Sequence, residues 1–91
     1  MNMIREGLYM VEFSAPWCAL GDTKSNIAHE AEDHHIRLLQ CDIDDNPDIA
    51  SGLGVFSVPT WVLFRDGSEI DRFLGRDAAK KFTEVVGHLS D

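Results

Sequence analysis

A cysteine lies where a predicted strand gives way to a predicted helix. Leu8 to Phe13 is a nearly continuous apolar run, which is typical of a strand covered on both faces. Pro16 ends the run, and a helix-like pattern extends from Ala19 to about Asp33. The amide groups and dipole at a helix N-terminus favour the thiolate, the nucleophilic form of cysteine. Cys18 is therefore either a reactive sulfur or an ordinary small residue at the joint.

Two further residues near this joint belong to the same hypothesis. Trp17 precedes the sulfur and would partly shield it while leaving an apolar surface for a partner chain. Glu12 interrupts the apolar run just upstream. It is either a buried acid behind the sulfur or a side chain that points into solvent at the end of the strand.

The remaining candidate ligands and thiols favour simpler interpretations. Cys41 lies in a predicted strand over Ile36 to Asp42, where we interpret it as packing, although a pair with Cys18 stays open. His29, His34 and His35 are five and six positions apart, whereas a zinc helix needs histidines at i and i+4. We therefore predict no metal site and no cofactor.

The acidic balance of the chain restricts its partners. Sixteen Asp and Glu face eight Lys and Arg, which gives a formal charge of −8 in 91 residues. This charge argues against binding nucleic acid or anionic lipid, both of which need clustered cations. The apolar run from Val58 to Phe64 is far shorter than the ~20 residues of a membrane-spanning helix. With no secretory pattern at the N-terminus, we expect a single cytoplasmic domain over residues 1–91.

The elements that position these residues follow the order β-α-β-α-β-β-α. Asn46 and Pro47 begin a short second helix that ends around Gly52 or Gly54. Asp66-Gly67 predicts a hairpin between strands at Thr60 to Arg65 and Glu69 to Leu74, and a helical stripe runs from Ala78 to Leu89 after Asp77 as its cap. Because two strands joined by a helix are normally parallel, we predict an α/β fold: a four-stranded mixed sheet with helices on both faces.

Four short motifs in this order resemble the thioredoxin family over about residues 8–89. They are Ala15-Pro16-Trp17-Cys18, Asp45-Asn46-Pro47, Val58-Pro59-Thr60 and Phe64-Arg65-Asp66-Gly67. The resemblance implies a cis proline at Pro59 that faces Cys18, with the Val58 backbone hydrogen-bonding an extended substrate. It implies that Trp17 and Thr60 complete the substrate surface and that Glu12 is the buried acid that moves protons for the thiols.

The departures from the family pattern concern the second half of its reaction. Gly21 stands where the motif Trp-Cys-x-x-Cys has its second cysteine, and Gln40 where a lysine commonly accompanies the buried acid. Ala19-Leu20 and Asp22 also differ from the usual residues. Only seventeen residues precede Cys18, so we expect the N-terminal strand and helix of the fold to be mostly missing.

The resemblance implies a thiol–disulfide oxidoreductase in which Cys18 forms a mixed disulfide with a protein substrate. Gly21, whether native or introduced, cannot release that product, so we expect impaired disulfide reductase activity. Release would need glutathione, a second substrate cysteine, or another protein such as a thioredoxin reductase. The alternative is a non-catalytic module that keeps the fold and binds peptides, and a third hypothesis is a natural chain with cysteine at position 21.

Overall fold

The elements of the computed structural model, which describes residues 7–18 and 21–89, occur in the predicted order. Their bounds are β1 (Leu8–Ser14), α1 (Gly21–Asp33), β2 (Arg37–Asp42), α2 (Pro47–Gly52), β3 (Thr60–Arg65), β4 (Ser68–Leu74) and α3 (Ala78–Val86), with a 3₁₀ turn at Gly75–Asp77. None of the helices within these ranges is long and apolar enough to cross a membrane.

The sheet has the strand order β2-β1-β3-β4. β1 pairs with β2 in parallel and with β3 antiparallel, and β4 returns antiparallel beside β3. Phe13 lies opposite both Cys41 and Thr60. The last residues of β1 and β2 therefore lie beside the first residue of β3 at one end of the strands. Cys18 and Pro59 are in the loops at this end of the sheet.

The core is divided by the sheet into two apolar clusters. The larger cluster packs α1 and α3 on one face, through residues such as Met10, Ile27 and Phe82. The smaller cluster packs α2 on the other face, against Phe13 and Val62. The predicted mixed sheet with helices on both faces is thereby confirmed.

The hairpin between β3 and β4 forms as its sequence predicts. Asp66 and Gly67 have φ angles of 52° and 85°, and positive φ at both central residues is typical of the type I′ turn that matches the twist of a hairpin. The turn also contacts the entry to β1, because Asp66 N donates to Gly7 O at 2.7 Å. A Cβ atom at Gly7 would lie 2.0 Å from Asp66 Oδ1, so only glycine fits there without movement.

Several predicted element boundaries differ from the structure. The described part of α1 begins at Gly21, and Ala19 and Leu20 lie outside the described residues. Ile36 does not join β2, because its N–H donates to Ala31 O at 2.8 Å and so completes the end of α1. At the other end of the chain α3 stops at Val86, although Leu89 still packs against the larger cluster.

The predicted helix caps do not form through side chains. Asn46 precedes α2, but its side-chain amide donates to Asp42 O at 3.0 Å and not to the α2 backbone. Asp77 likewise makes no side-chain capping bond, since the 3₁₀ turn leads directly into α3. Pro47 does occupy the start of α2, where its missing N–H costs nothing.

Candidate functional site

Cys18 lies at the end of a tight turn that follows β1. Its N–H donates to Ala15 O at 3.0 Å, which closes a four-residue turn with Pro16 at the second position. Ala15 is buried, whereas Trp17 is 69% exposed. The turn therefore presents an indole to solvent beside a half-buried sulfur.

The loop that enters β3 lies at the same end of the sheet. The Val58–Pro59 peptide bond is cis, as the resemblance implied. Pro59 is buried and Val58 is half-buried. Thr60 is also buried, and its hydroxyl donates to Ser57 O at 2.7 Å, so its side chain holds the loop together and does not lie on the exposed surface.

Glu12 is a buried acid, which decides between the two readings of its position. The side chain is 4% exposed, and Oε1 accepts a hydrogen bond from Trp61 Nε1 at 3.0 Å. Glu12 shares the face of β1 that carries Met10, since side chains alternate along a strand. It therefore lies on the α1 side of the sheet, with Gln40 and Trp61 as its cross-strand neighbours.

A cleft of about 440 Å³ opens between α1 and the ends of β1 and β2, and Glu12 lines it. Lys24 and Gln40 line the same cleft, and Lys24 Nζ donates to Ser14 Oγ at 2.6 Å. The cleft gives solvent a route toward the buried carboxyl. The sequence analysis did not single out Lys24, whose contact with Ser14 joins α1 to the end of β1.

Position 21 has room for a side chain. Gly21 is exposed as the first described residue of α1, and a Cβ atom built on it meets no non-neighbouring atom of the described residues within 4 Å. The backbone of the described residues therefore leaves space for a cysteine side chain at this position. Asp22 is exposed in the first turn beside it.

Cys41 packs on the other face of the sheet. It is half-buried against the smaller cluster, with Phe13 opposite it in β1. Burial, followed by the nearby Asp42 carboxylate, raises the pKa of the Cys41 thiol. This environment favours the neutral thiol, and no disulfide joins Cys41 to Cys18.

An exposed aromatic residue near the cis bond escaped the sequence reasoning. Phe56 is 86% exposed, two residues before Val58. The signal was a large apolar residue in the loop between Gly54 and Pro59, with no helical or strand period to bury it. Together with Trp17, it gives the loops at this end of the sheet two exposed aromatic side chains.

The described residues contain no cluster of three or more His, Cys, Asp or Glu side chains placed to hold a metal ion. His34 instead pairs with Glu30, with Nε2 at 3.0 Å from Oε2. His29 and His35 are both exposed.

The chain is similar to known proteins over nearly its whole length. The family model described as Thioredoxin matches residues 2–88. The thioredoxin of Chlamydia muridarum is 39% identical over 76 residues, which is 81% of this chain and 74% of the relative. That of Staphylococcus saprophyticus is 30% identical over 86 residues, covering 91% of this chain and 83% of the relative.

Solved structures show the same likeness in three dimensions. Fasciola hepatica thioredoxin superposes with a TM-score of 0.76 at 29% identity, covering 88% of this chain and 78% of its own. Mitochondrial thioredoxin 3 from Saccharomyces cerevisiae gives a TM-score of 0.79 at 25% identity, covering 96% of this chain and 83% of its own.

Proposed function

The chain belongs to the thioredoxin family, and on that premise we propose that it performs thiol–disulfide exchange with Cys18 as the attacking sulfur. The family and fold support a thiol–disulfide oxidoreductase-type function in general. The proposal adds the residue that attacks, the surface that receives the substrate and the fate of the product.

The first step is an attack by the Cys18 thiolate on one sulfur of a substrate disulfide. The substrate S–S bond breaks, a new S–S bond joins Cys18 to that sulfur, and the other sulfur leaves as a thiolate that takes up a proton. Glu12 is the proposed proton carrier for this step. Its place in the wall of the cleft supports that role, because the cleft connects this buried carboxyl to the surface.

The second step needs a thiol from outside the motif, because Gly21 has none. A glutathione thiolate attacking the mixed disulfide at Cys18 releases the reduced substrate and leaves glutathione bound to Cys18. A second glutathione then frees Cys18 and forms glutathione disulfide. Another protein thiol, such as that of a thioredoxin reductase, can take the place of glutathione. A further substrate cysteine that attacks the substrate sulfur of the mixed disulfide also frees Cys18, but it leaves the substrate with a new internal disulfide.

The proposed substrate surface surrounds Cys18 and the cis bond. Trp17 offers an exposed apolar side chain, and the backbone at Val58 offers hydrogen bonds to an extended polypeptide. Pro59 and Thr60 shape the loop from within, since both are buried. Disulfide-containing proteins are therefore the proposed substrates, whereas the cytoplasmic location and the exclusion of nucleic acid and membrane partners stay predictions.

One observation carries this proposal: a half-buried Cys18 and the cis Val58–Pro59 bond lie at the same end of the sheet. The test incubates the reduced protein with insulin and separates the products on non-reducing gels. We expect a mixed disulfide with the unsubstituted chain and with Cys41→Ser, and none with Cys18→Ser. Turnover of insulin should then depend on added glutathione. Capture that survives in Cys18→Ser but disappears in Cys41→Ser would contradict the proposal.

Gly21 favours a second candidate function, a non-catalytic module that binds extended peptides. In that case Cys18→Ser should retain its partner with unchanged affinity, and no glutathione-dependent turnover should appear. Binding measured with a peptide whose cysteines are blocked separates this function from exchange. An exchange protein loses covalent capture when Cys18 is replaced, whereas a binding module loses nothing.

A further inference from the structure

Arg72 on the edge strand β4 contacts the beginning of the loop that leads to the cis bond. Its Nη2 donates to Leu53 O at 2.8 Å and its Nη1 to Gly54 O at 3.2 Å. Leu53 is the C-terminal cap of α2 and directly follows Gly52. Carbonyl groups at a helix C-terminus lack intrahelical partners and attract cations. The guanidinium therefore fastens the end of α2 to a strand that is distant in sequence.

Glu69 fixes the orientation of that guanidinium. Its two carboxylate oxygens accept from Arg72 Nε at 2.6 Å and from Nη2 at 2.7 Å, which is a two-point pairing. The hydrogen bond from Arg72 lowers the pKa of Glu69 and the pairing raises the pKa of Arg72, so both groups stay charged. Arg72 lies opposite Val62, on the face of the sheet that carries α2.

The loop is held at its other positions by buried groups. Val55 is buried, and its N–H donates to Ala50 O at 2.9 Å. Ser57 O accepts the hydroxyl of Thr60 at 2.7 Å. Phe56 to Val58, which we call the docking segment, lies between Val55 and Thr60 and carries the exposed aromatic side chain. Its placement depends on these two residues, and Arg72 holds Leu53 and Gly54, which connect α2 to the first of them.

We propose that Arg72 is a positioning residue for protein substrates, acting through the docking segment. The inference rests on the proposed function, because it assumes that Cys18 attacks disulfides of polypeptides that lie along this segment. A protein substrate needs both Cys18 and the docking segment. A small aromatic disulfide needs only the sulfur, so Arg72 contributes to the first reaction and not to the second.

The test compares these two reactions in a Cys41→Ser background, so that one thiol is measured. Rates of Cys18 capture are taken with insulin and with 5,5′-dithiobis(2-nitrobenzoate). Arg72→Gln should slow capture of insulin about fivefold, which corresponds to about 1 kcal/mol for two partly exposed charge-assisted bonds. The rate with the small disulfide should not change. Arg72→Lys, which retains one donor group and the charge, should fall between Arg72→Gln and the parent.

Arg37→Gln is the matched control, because Arg37 is exposed at the start of β2 and its replacement makes the same change in net charge. It should leave both rates unchanged. Equal changes in both rates of Arg72→Gln would assign Arg72 a general structural role and overturn the inference. Unchanged capture of insulin would also overturn it while leaving the exchange function intact. Absence of any reaction of Cys18 with either disulfide would overturn the proposed function itself.

Discussion

Replacing Glu12 tests whether its carboxyl is a structural acceptor as well as the proposed proton carrier. The side chain is 4% exposed, and its hydrogen bond comes from the indole of Trp61, which is fully buried. Glu12→Ala removes the acceptor and the side-chain volume together. Glu12→Gln keeps the volume and an acceptor oxygen but removes the ionisable group. The two substitutions therefore separate packing from proton chemistry.

The expected stability changes follow from this environment. Glu12→Ala leaves the buried N–H of Trp61 without an acceptor, which costs about 1–3 kcal/mol. It also removes one buried methylene, worth about 0.8 kcal/mol. We therefore expect the free energy of unfolding to fall by about 3 kcal/mol, equivalent to about 15 °C in melting temperature for a chain of this size. Glu12→Gln should change it by less than about 1 kcal/mol.

Urea unfolding of four proteins measures the contribution of the hydrogen bond itself. In a Trp61→Phe background there is no indole N–H to satisfy, so Glu12→Ala should cost about 1–2 kcal/mol less than it does beside tryptophan. The same cost in both backgrounds would refute the structural reasoning. For the proton role, Glu12→Gln should keep the fold and alter the pH dependence of Cys18 exchange. An unchanged pH profile would refute that role.

Two further predictions concern thiols other than that of Cys18, one introduced at position 21 and the other at Cys41. Gly21→Cys should form a disulfide with Cys18 on oxidation and allow insulin turnover without glutathione, because the described residues leave space for a Cβ atom at position 21. Mass spectrometry and the insulin assay check this, and continued dependence on glutathione would contradict it. The raised pKa of Cys41 means that the folded state favours the neutral thiol, so this contribution to stability is present below the ordinary pKa of 9.0 and is lost as the pH rises through the raised value. Iodoacetamide should accordingly modify Cys41 more slowly in the folded chain than in urea at pH 8, with Cys18→Ser used to isolate its signal; equal rates would contradict the shift.

Local rules explain why much of the fold could be predicted from the sequence. Asp66-Gly67 forms the expected hairpin because the residues themselves tolerate the positive φ angles that the turn needs. The nearly continuous apolar run of β1 reflects a strand with a cluster on each face. Pro47 marks the start of α2 for an equally local reason, since no N–H is needed there.

Contacts between distant residues explain what could not be predicted. In the sequence Arg72 cannot be distinguished from any other charged residue of an exposed strand. Its partners at Leu53 and Gly54 come close to it only in the folded sheet. Lys24 reaches Ser14 across the cleft for the same reason. Asn46 fails as a helix cap for a local reason, since its side-chain amide donates to the Asp42 carbonyl four residues earlier.

The division of the core by the sheet has a consequence for how this protein can evolve. The segment around Gly21 depends on the packing of α1, whereas the segment that ends in Pro59 depends on the α2 side. We therefore expect a substitution within one cluster to disturb the segment on its own face more than the segment on the opposite face. A change at position 21 would then leave the surface around the cis bond, and with it the choice of partner, largely as it was.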